Sequence, residues 1–257
     1  MFTDAPCRVY GEDLDPGALQ QMDNACRLPV AVAGALMPDA HQGYGLPIGG
    51  VLATDEAVIP YAVGVDIACR MKMTVLDLPT SALTTAQHEL TRAIEQETRF
   101  GVGAEFSDRR DHAVMDADWA VTAVTRRVKD KAWRQLGTSG SGNHFVEFGV
   151  LQVFEAVVGL PPGEYLALLS HSGSRGSGAT VAQHYSKAAR DLHPELPHEL
   201  GNLAWLDLSS EVGLEYWAAM ELMGVYAAAN HELIHRHVAR ALSAGVHLNI
   251  KNHHNFA

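Results

Sequence analysis

At 257 residues, 47% of them apolar, the chain is long enough for one large domain or two small ones and can bury an ordinary core. Its 30 acidic against 19 basic residues leave a formal charge of −11. That argues against a broad basic nucleic-acid face, although bound divalent cations and clustered arginines can still receive phosphates.

Three scattered cysteines, Cys7, Cys26 and Cys69, make no disulfide framework. The N-terminal stretch has no basic segment ahead of an apolar run, and apolar stretches break well short of about 18 residues. Neither a signal peptide nor a membrane span is expected, and the compartment is read as reducing and cytoplasmic. Histidine is unusual: there are 14, many beside glycine, asparagine or serine, as in a metal or phosphate site.

In chain order, Asp15-Pro16-Gly17 opens a helix to about Arg27, with Asp15 as N-cap and Pro16 at the first helical position. Residues 30–36 read as a buried strand that runs into a glycine-rich loop over 37–45. Strands are expected over 50–54 and 70–77, and helices over 84–98 and 115–133. A loop over 136–142 precedes strands over 144–148 and near 165–170. A glycine loop over 171–178 then leads into a helix over 179–192. The longest helix is expected over 210–242, with Gly245 just beyond it, and residues 246–250 are strand-like. No repeat or linker divides the chain, so residues 1–257 are read as one mixed α and β domain.

The polar loops carry the chemistry. In Gly64-Val65-Asp66-Ile67-Ala68-Cys69 a carboxylate and a thiol three residues apart can face one cation, and a thiolate can bridge two. The bland reading is a buried cysteine after a turn aspartate. Gly140-Ser141-Gly142-Asn143-His144 and His171-Ser172-Gly173-Ser174-Arg175-Gly176-Ser177-Gly178 join histidines to glycines whose amides can approach an anion; the second adds Arg175, hydroxyls and a helix start. Asn252-His253-His254-Asn255 follows the last strand-like run.

His231-Glu232-Leu233-Ile234-His235 is a literal H-E-x-x-H, the pattern of a zinc hydrolase. Its third ligand is wanting. Val238 stands where the metzincin glycine would be, and no acidic residue follows Glu232. The ordinary reading places these histidines on polar faces of a long helix.

Together with residues 37–50 (MPDAHQGYGLPIGG), these stretches resemble, in order and over nearly the whole chain, the RtcB family of RNA-splicing ligases. The resemblance implies an α+β fold, with mixed β-sheets and surrounding helices forming a deep metal-binding cleft. It implies two Mn²⁺ ions, with Cys69 bridging them and Asp66, His144, His171 and His254 completing the shells. Asn143 would contact the guanylate or the RNA end, and Asp39 would orient the nucleophile. Arg175 and neighbouring hydroxyls such as Ser174 would receive phosphate, and His144 and Asn255 would adjoin the nucleotide.

The implied reaction joins an RNA 3′-phosphate or 2′,3′-cyclic phosphate to a 5′-hydroxyl, in tRNA splicing or RNA repair. GTP guanylylates a histidine, GMP passes to the RNA 3′-phosphate, and the 5′-hydroxyl expels it. RNA and GTP are therefore the expected partners; an accessory activating protein and the oligomeric state stay open. The family's guanylylated histidine lies well beyond the His-Asn motif, and this sequence stops two residues after Asn255. The chain is accordingly expected to be C-terminally incomplete: a ligase by descent, or a truncated or degenerate relative that binds metal and phosphate or RNA without ligating.

Overall fold

A computed structural model describes residues 4–157 and 159–257. In chain order the elements are β1 (Cys7–Val9), α1 (Pro16–Cys26), β2 (Ala31–His41), β3 (Ile48–Thr54), β4 (Ala57–Val58), α2 (Pro60–Val63) and β5 (Arg70–Leu76). There follow α3 (Ala82–Thr85), α4 (Gln87–Glu97), α5 (Ala123–Gln135), β6 (Phe145–Val153) and β7 (Gly163–Ser172). The chain closes with α6 (Arg175–Leu192), β8 (Leu206–Asp207), α7 (Glu211–Ala241) and β9 (Val246–His253). These form two compact units: the chain up to Val65 with residues 181–219, and residues 66–180 with 220–256.

In the first unit β2 pairs with β1 in parallel and with β3 antiparallel. Helix α1 begins as its sequence predicts: the Asp15 side chain accepts from Gly17 N at 2.7 Å, and Pro16 needs no donor partner. Ala18, Met22 and Cys26, one helical turn apart, face Leu36 and Ala40 of β2. The expected loop over 37–45 is shorter than predicted. β2 runs on to His41, opposite Ile48, through an irregularity that absorbs Pro38, which has no amide to give a ladder. Strands β1, β4 and β8, two or three residues each, are too short to show a period.

The second unit is built on an antiparallel sheet ordered β6-β7-β5-β9. Val146 and Leu168 of this sheet pack with Ala93 of α4 and Ile234 and Val238 of α7. The helix expected over 115–133 starts late, because Thr122 and Thr125 close a capping box and make Ala123 the first helical residue. Upstream, the Trp119 indole donates to Val114 O at 2.9 Å and holds a tight turn there instead. The helix expected over 84–98 is split into α3 and α4 at Ala86, whose φ of −128° leaves the helical region. The glycine loop expected over 171–178 shrinks to Gly173 and Ser174, since β7 runs to Ser172 and α6 starts at Arg175.

Candidate metal centre

In the second unit, four strand ends and one turn bring the predicted ligands together. Asp66 and Cys69 sit on a tight turn entering β5, closed by Cys69 N donating to Asp66 O at 3.1 Å. Ala68 within it takes a φ of 59°, a conformation that side chains rarely adopt. Two further bonds tie the turn to the end of β9: His254 N donates to Cys69 O at 3.1 Å, and Ala68 N to Asn255 O at 3.0 Å. His144 immediately precedes β6, and His171 lies near the end of β7, paired in register with Phe145.

The donor atoms form two groups that share the Cys69 sulfur: Asp66, Cys69 and His144, and Cys69, His171 and His254. His144 Nε2 lies 2.8 Å from Asp66 Oδ2 and 3.5 Å from Cys69 Sγ. His171 Nε2 lies 3.1 Å from Cys69 Sγ and 3.1 Å from His254 Nε2. Each group can hold a metal ion. Gly173 makes room for this arrangement, because a Cβ there would collide with the Asp66 carboxylate.

A second layer orients the rings. His171 Nδ1 donates to Asn143 O at 2.9 Å, which leaves its Nε2 lone pair aimed at Cys69 and His254. His144 Nδ1 lies 3.1 Å from Ser139 O and 2.9 Å from Arg175 Nη1. One tautomer accepts from Arg175 and donates Nε2–H to Asp66; the other donates Nδ1–H to Ser139 O and frees Nε2 for a cation. Arg175, with a φ of 57°, lies across Gly140, where a Cβ would overlap its guanidinium.

The electrostatics favour a cation. Burial raises the Asp66 carboxyl, but the hydrogen bond and charge of His144, with the charge of Arg175, outweigh it and leave its pKa lowered. Burial, and then the Asp66 charge, push the Cys69 thiol far up. Without a cation the thiolate is therefore disfavoured beside Asp66, and a bound divalent ion inverts that balance. Asp66 Oδ2 is buried, and the polar group against it is the His144 imidazole at 2.8 Å. A buried carboxylate, a thiol common to both donor groups and converging imidazoles fit a pair of transition-metal ions.

Of the other predicted residues, Ser174 is buried, its hydroxyl 3.5 Å from Asp66 Oδ1. Asn255 Nδ2 donates to Asp66 O at 2.7 Å, holding the turn rather than reaching outward. Asn143 contributes the carbonyl just described. Asp39 is exposed near the end of β2 in the first unit.

Sequence reasoning missed Ser139 and Asn230. Ser139 O serves both His144 and the Ser172 hydroxyl, the latter at 2.8 Å. Asn230 Oδ1 accepts from Gly137 N at 2.7 Å and its Nδ2 donates to Thr138 O at 2.9 Å, fixing the loop that carries Ser139. The signal was weak, since Ser139 acts through its backbone carbonyl and the Asn230 amide acts on backbone atoms of a distant loop.

The H-E-x-x-H histidines are buried against β5 and β7 rather than on a polar face. His231 Nδ1 and His235 Nε2 both meet the Ser170 hydroxyl, at 2.6 and 2.7 Å. His231 Nε2 lies 3.0 Å from Ser172 O, and His235 Nδ1 lies 2.7 Å from Thr74 Oγ1, which contacts Asn249 Oδ1 at 2.7 Å. All four ring nitrogens are engaged, and Glu232 is exposed beside His112 and Arg236, so the motif offers no zinc site.

Comparison with known proteins agrees with this geometry. Residues 21–257 match the family model described as tRNA-splicing ligase RtcB. The tRNA-splicing ligase RtcB of Archaeoglobus fulgidus is 31% identical over 86% of this chain and 54% of its own length. That of Thermococcus kodakarensis is 30% identical over 89% of the chain and 57% of its own. The RNA-splicing ligase RtcB of Escherichia coli K12 is 29% identical over 93% and 61%. The chain thus spans little more than half the length of these relatives. With a family model matched across nearly all of its residues and the metal-donor cluster assembled, the chain belongs to the RtcB family.

Proposed function

We propose that this chain carries the metal centre of an RNA ligase that joins an RNA 3′-phosphate or 2′,3′-cyclic phosphate to a 5′-hydroxyl, using GTP and two Mn²⁺ ions, in the cytoplasm. The observation that carries the reading is the Cys69 sulfur shared by two donor groups, each complete with an imidazole. Asp66 and His144 would complete one ion's protein ligands, and His171 and His254 the other's. Cations held there supply charge neutralisation and alignment for phosphate groups.

The chain's own residues then do four things. Arg175, its guanidinium against His144, offers charge to a phosphate. Asn143 would contact the guanylate or the RNA end, and Ser174, its hydroxyl beside Asp66, would receive phosphate. Asp39 would orient the attacking hydroxyl. Asn255 holds the Asp66 turn through its amide, beside the nucleotide. The two units together would make one catalytic domain.

The relatives' greater length favours a second reading, a metal- and phosphate-binding relative that does not ligate alone. One experiment separates the two. The purified chain is loaded with Mn²⁺, its metal content measured, and then incubated with radiolabelled GTP. Two ions per chain and an acid-labile protein–GMP adduct support the ligase. Two ions without an adduct support the second reading, and no bound metal would sink both.

A further inference from the structure

Three sulfur-bearing side chains that the metal centre does not use meet in the first unit. Met22 and Cys26 stand one turn apart on α1, and Cys7 of β1 pairs in register with Gly34 of β2. Gly34 has no side chain. The space its Cβ would take is bordered by Met22 Cε, one bond from the thioether sulfur, by Cys26 Sγ at 2.6 Å and by Cys7 Sγ at 3.4 Å. A cavity of about 430 Å³ opens onto the group, lined by Cys7, Met22, Asp23, Cys26 and Arg27 among others, with no imidazole. Cys7 is exposed and Cys26 buried, so the group has a solvent side and a closed side.

Two thiols and a thioether are a soft donor set, which discriminates strongly against Mn²⁺ and Mg²⁺. Zinc takes four ligands, usually tetrahedral, and the three sulfurs leave it one short. The nearby Asp23 carboxylate is taken by Arg27, at 3.0 Å. We propose that Cys7, Cys26 and Met22 form a site for a soft monovalent cation of the Cu(I) class. Cu⁺ joins two thiolates and the neutral thioether, two protons leave to solvent, and no electron changes hands. The complex carries one negative charge, on a cavity wall where Arg27 is already paired with Asp4 and Asp23. Burial, and then Cys7, push the Cys26 thiol up to about 11. The thiol therefore stays protonated until a cation displaces the proton, and it is a poor nucleophile for disulfide exchange.

The test must remove Cys69, which would also bind copper. A Cys69→Ser chain, kept reduced and anaerobic, is titrated with Cu(I) buffered by bicinchoninate. It should hold one Cu(I), with X-ray absorption showing a shell of sulfur alone. Adding Cys7→Ser, at an exposed position that leaves the core intact, should weaken binding at least tenfold while the circular dichroism melt is unchanged. No copper uptake by Cys69→Ser, equal uptake by both chains, or a nitrogen shell from the remaining histidines would overturn the proposal.

Discussion

At Cys69 a thiol is buried beside a carboxylate, and the two cannot both be charged without a cation between or beside them. Metal uptake must therefore expel the thiol proton, so Mn²⁺ affinity should rise with pH, about tenfold per unit between pH 6 and 8. Calorimetric titrations at three pH values check this; a flat profile would mean that sulfur is not a ligand. Cys69→Ser should cut bound Mn²⁺ from two ions to fewer than one, read by elemental analysis. Cys7→Ser and Cys26→Ser should leave Mn²⁺ content alone, because their soft donors do not hold a hard ion. Gly173→Ala places a methyl group against Asp66, and it should lower Mn²⁺ affinity at least tenfold with the fold intact.

Among the elements, α7 carries two histidines that burial holds neutral: His231 is pushed down to about 3, and His235 well below its ordinary value. Unfolded imidazoles titrate near 6.5, so below that pH the unfolded chain binds protons that the folded one refuses. Stability is thus fully present above about pH 6.5 and falls as pH drops, by roughly 1.4 kcal/mol per unit for each histidine. Urea midpoints measured from pH 7 to 4.5 should show that decline, and His235→Asn should flatten it while lowering stability overall. At α5, Thr122→Ala removes the capping box and should cost about 1 kcal/mol without touching metal content. The same elements show what a sequence reveals. Helix α1 was legible because its cap and its spacing agree. The 115–133 helix was misplaced because its true start depends on a Thr122–Thr125 exchange and a Trp119 tether that no period records.

Over the whole molecule, the ligand set was legible because each member sits in a short polar motif at a strand end. Its supports were not, since Ser139 and Asn143 act through carbonyls that every residue owns. The two units also left no linker to read: each is assembled from separate stretches, with one boundary at the turn before β5 and two others inside α6 and α7. A net charge of −11 repels RNA unless cations intervene. If the proposed substrate is right, filter binding of an RNA with a 3′-phosphate should need Mn²⁺ and vanish in EDTA. Persistence in EDTA would point to a basic surface instead.

The row from buried Ser172 through His231, Ser170, His235 and Thr74 to exposed Asn249 has five links, yet two neutral imidazoles and two hydroxyls supply only four protons. Both ends present oxygens that accept, and burial forbids an imidazolium to fill the deficit. Thr74 Oγ1 faces Asn249 Oδ1, which leaves one link without a proton; the Asn249 amide turned over would supply it. With that amide turned, every hydroxyl and ring proton would point toward Ser172 O, and both imidazoles would carry their proton on Nε2.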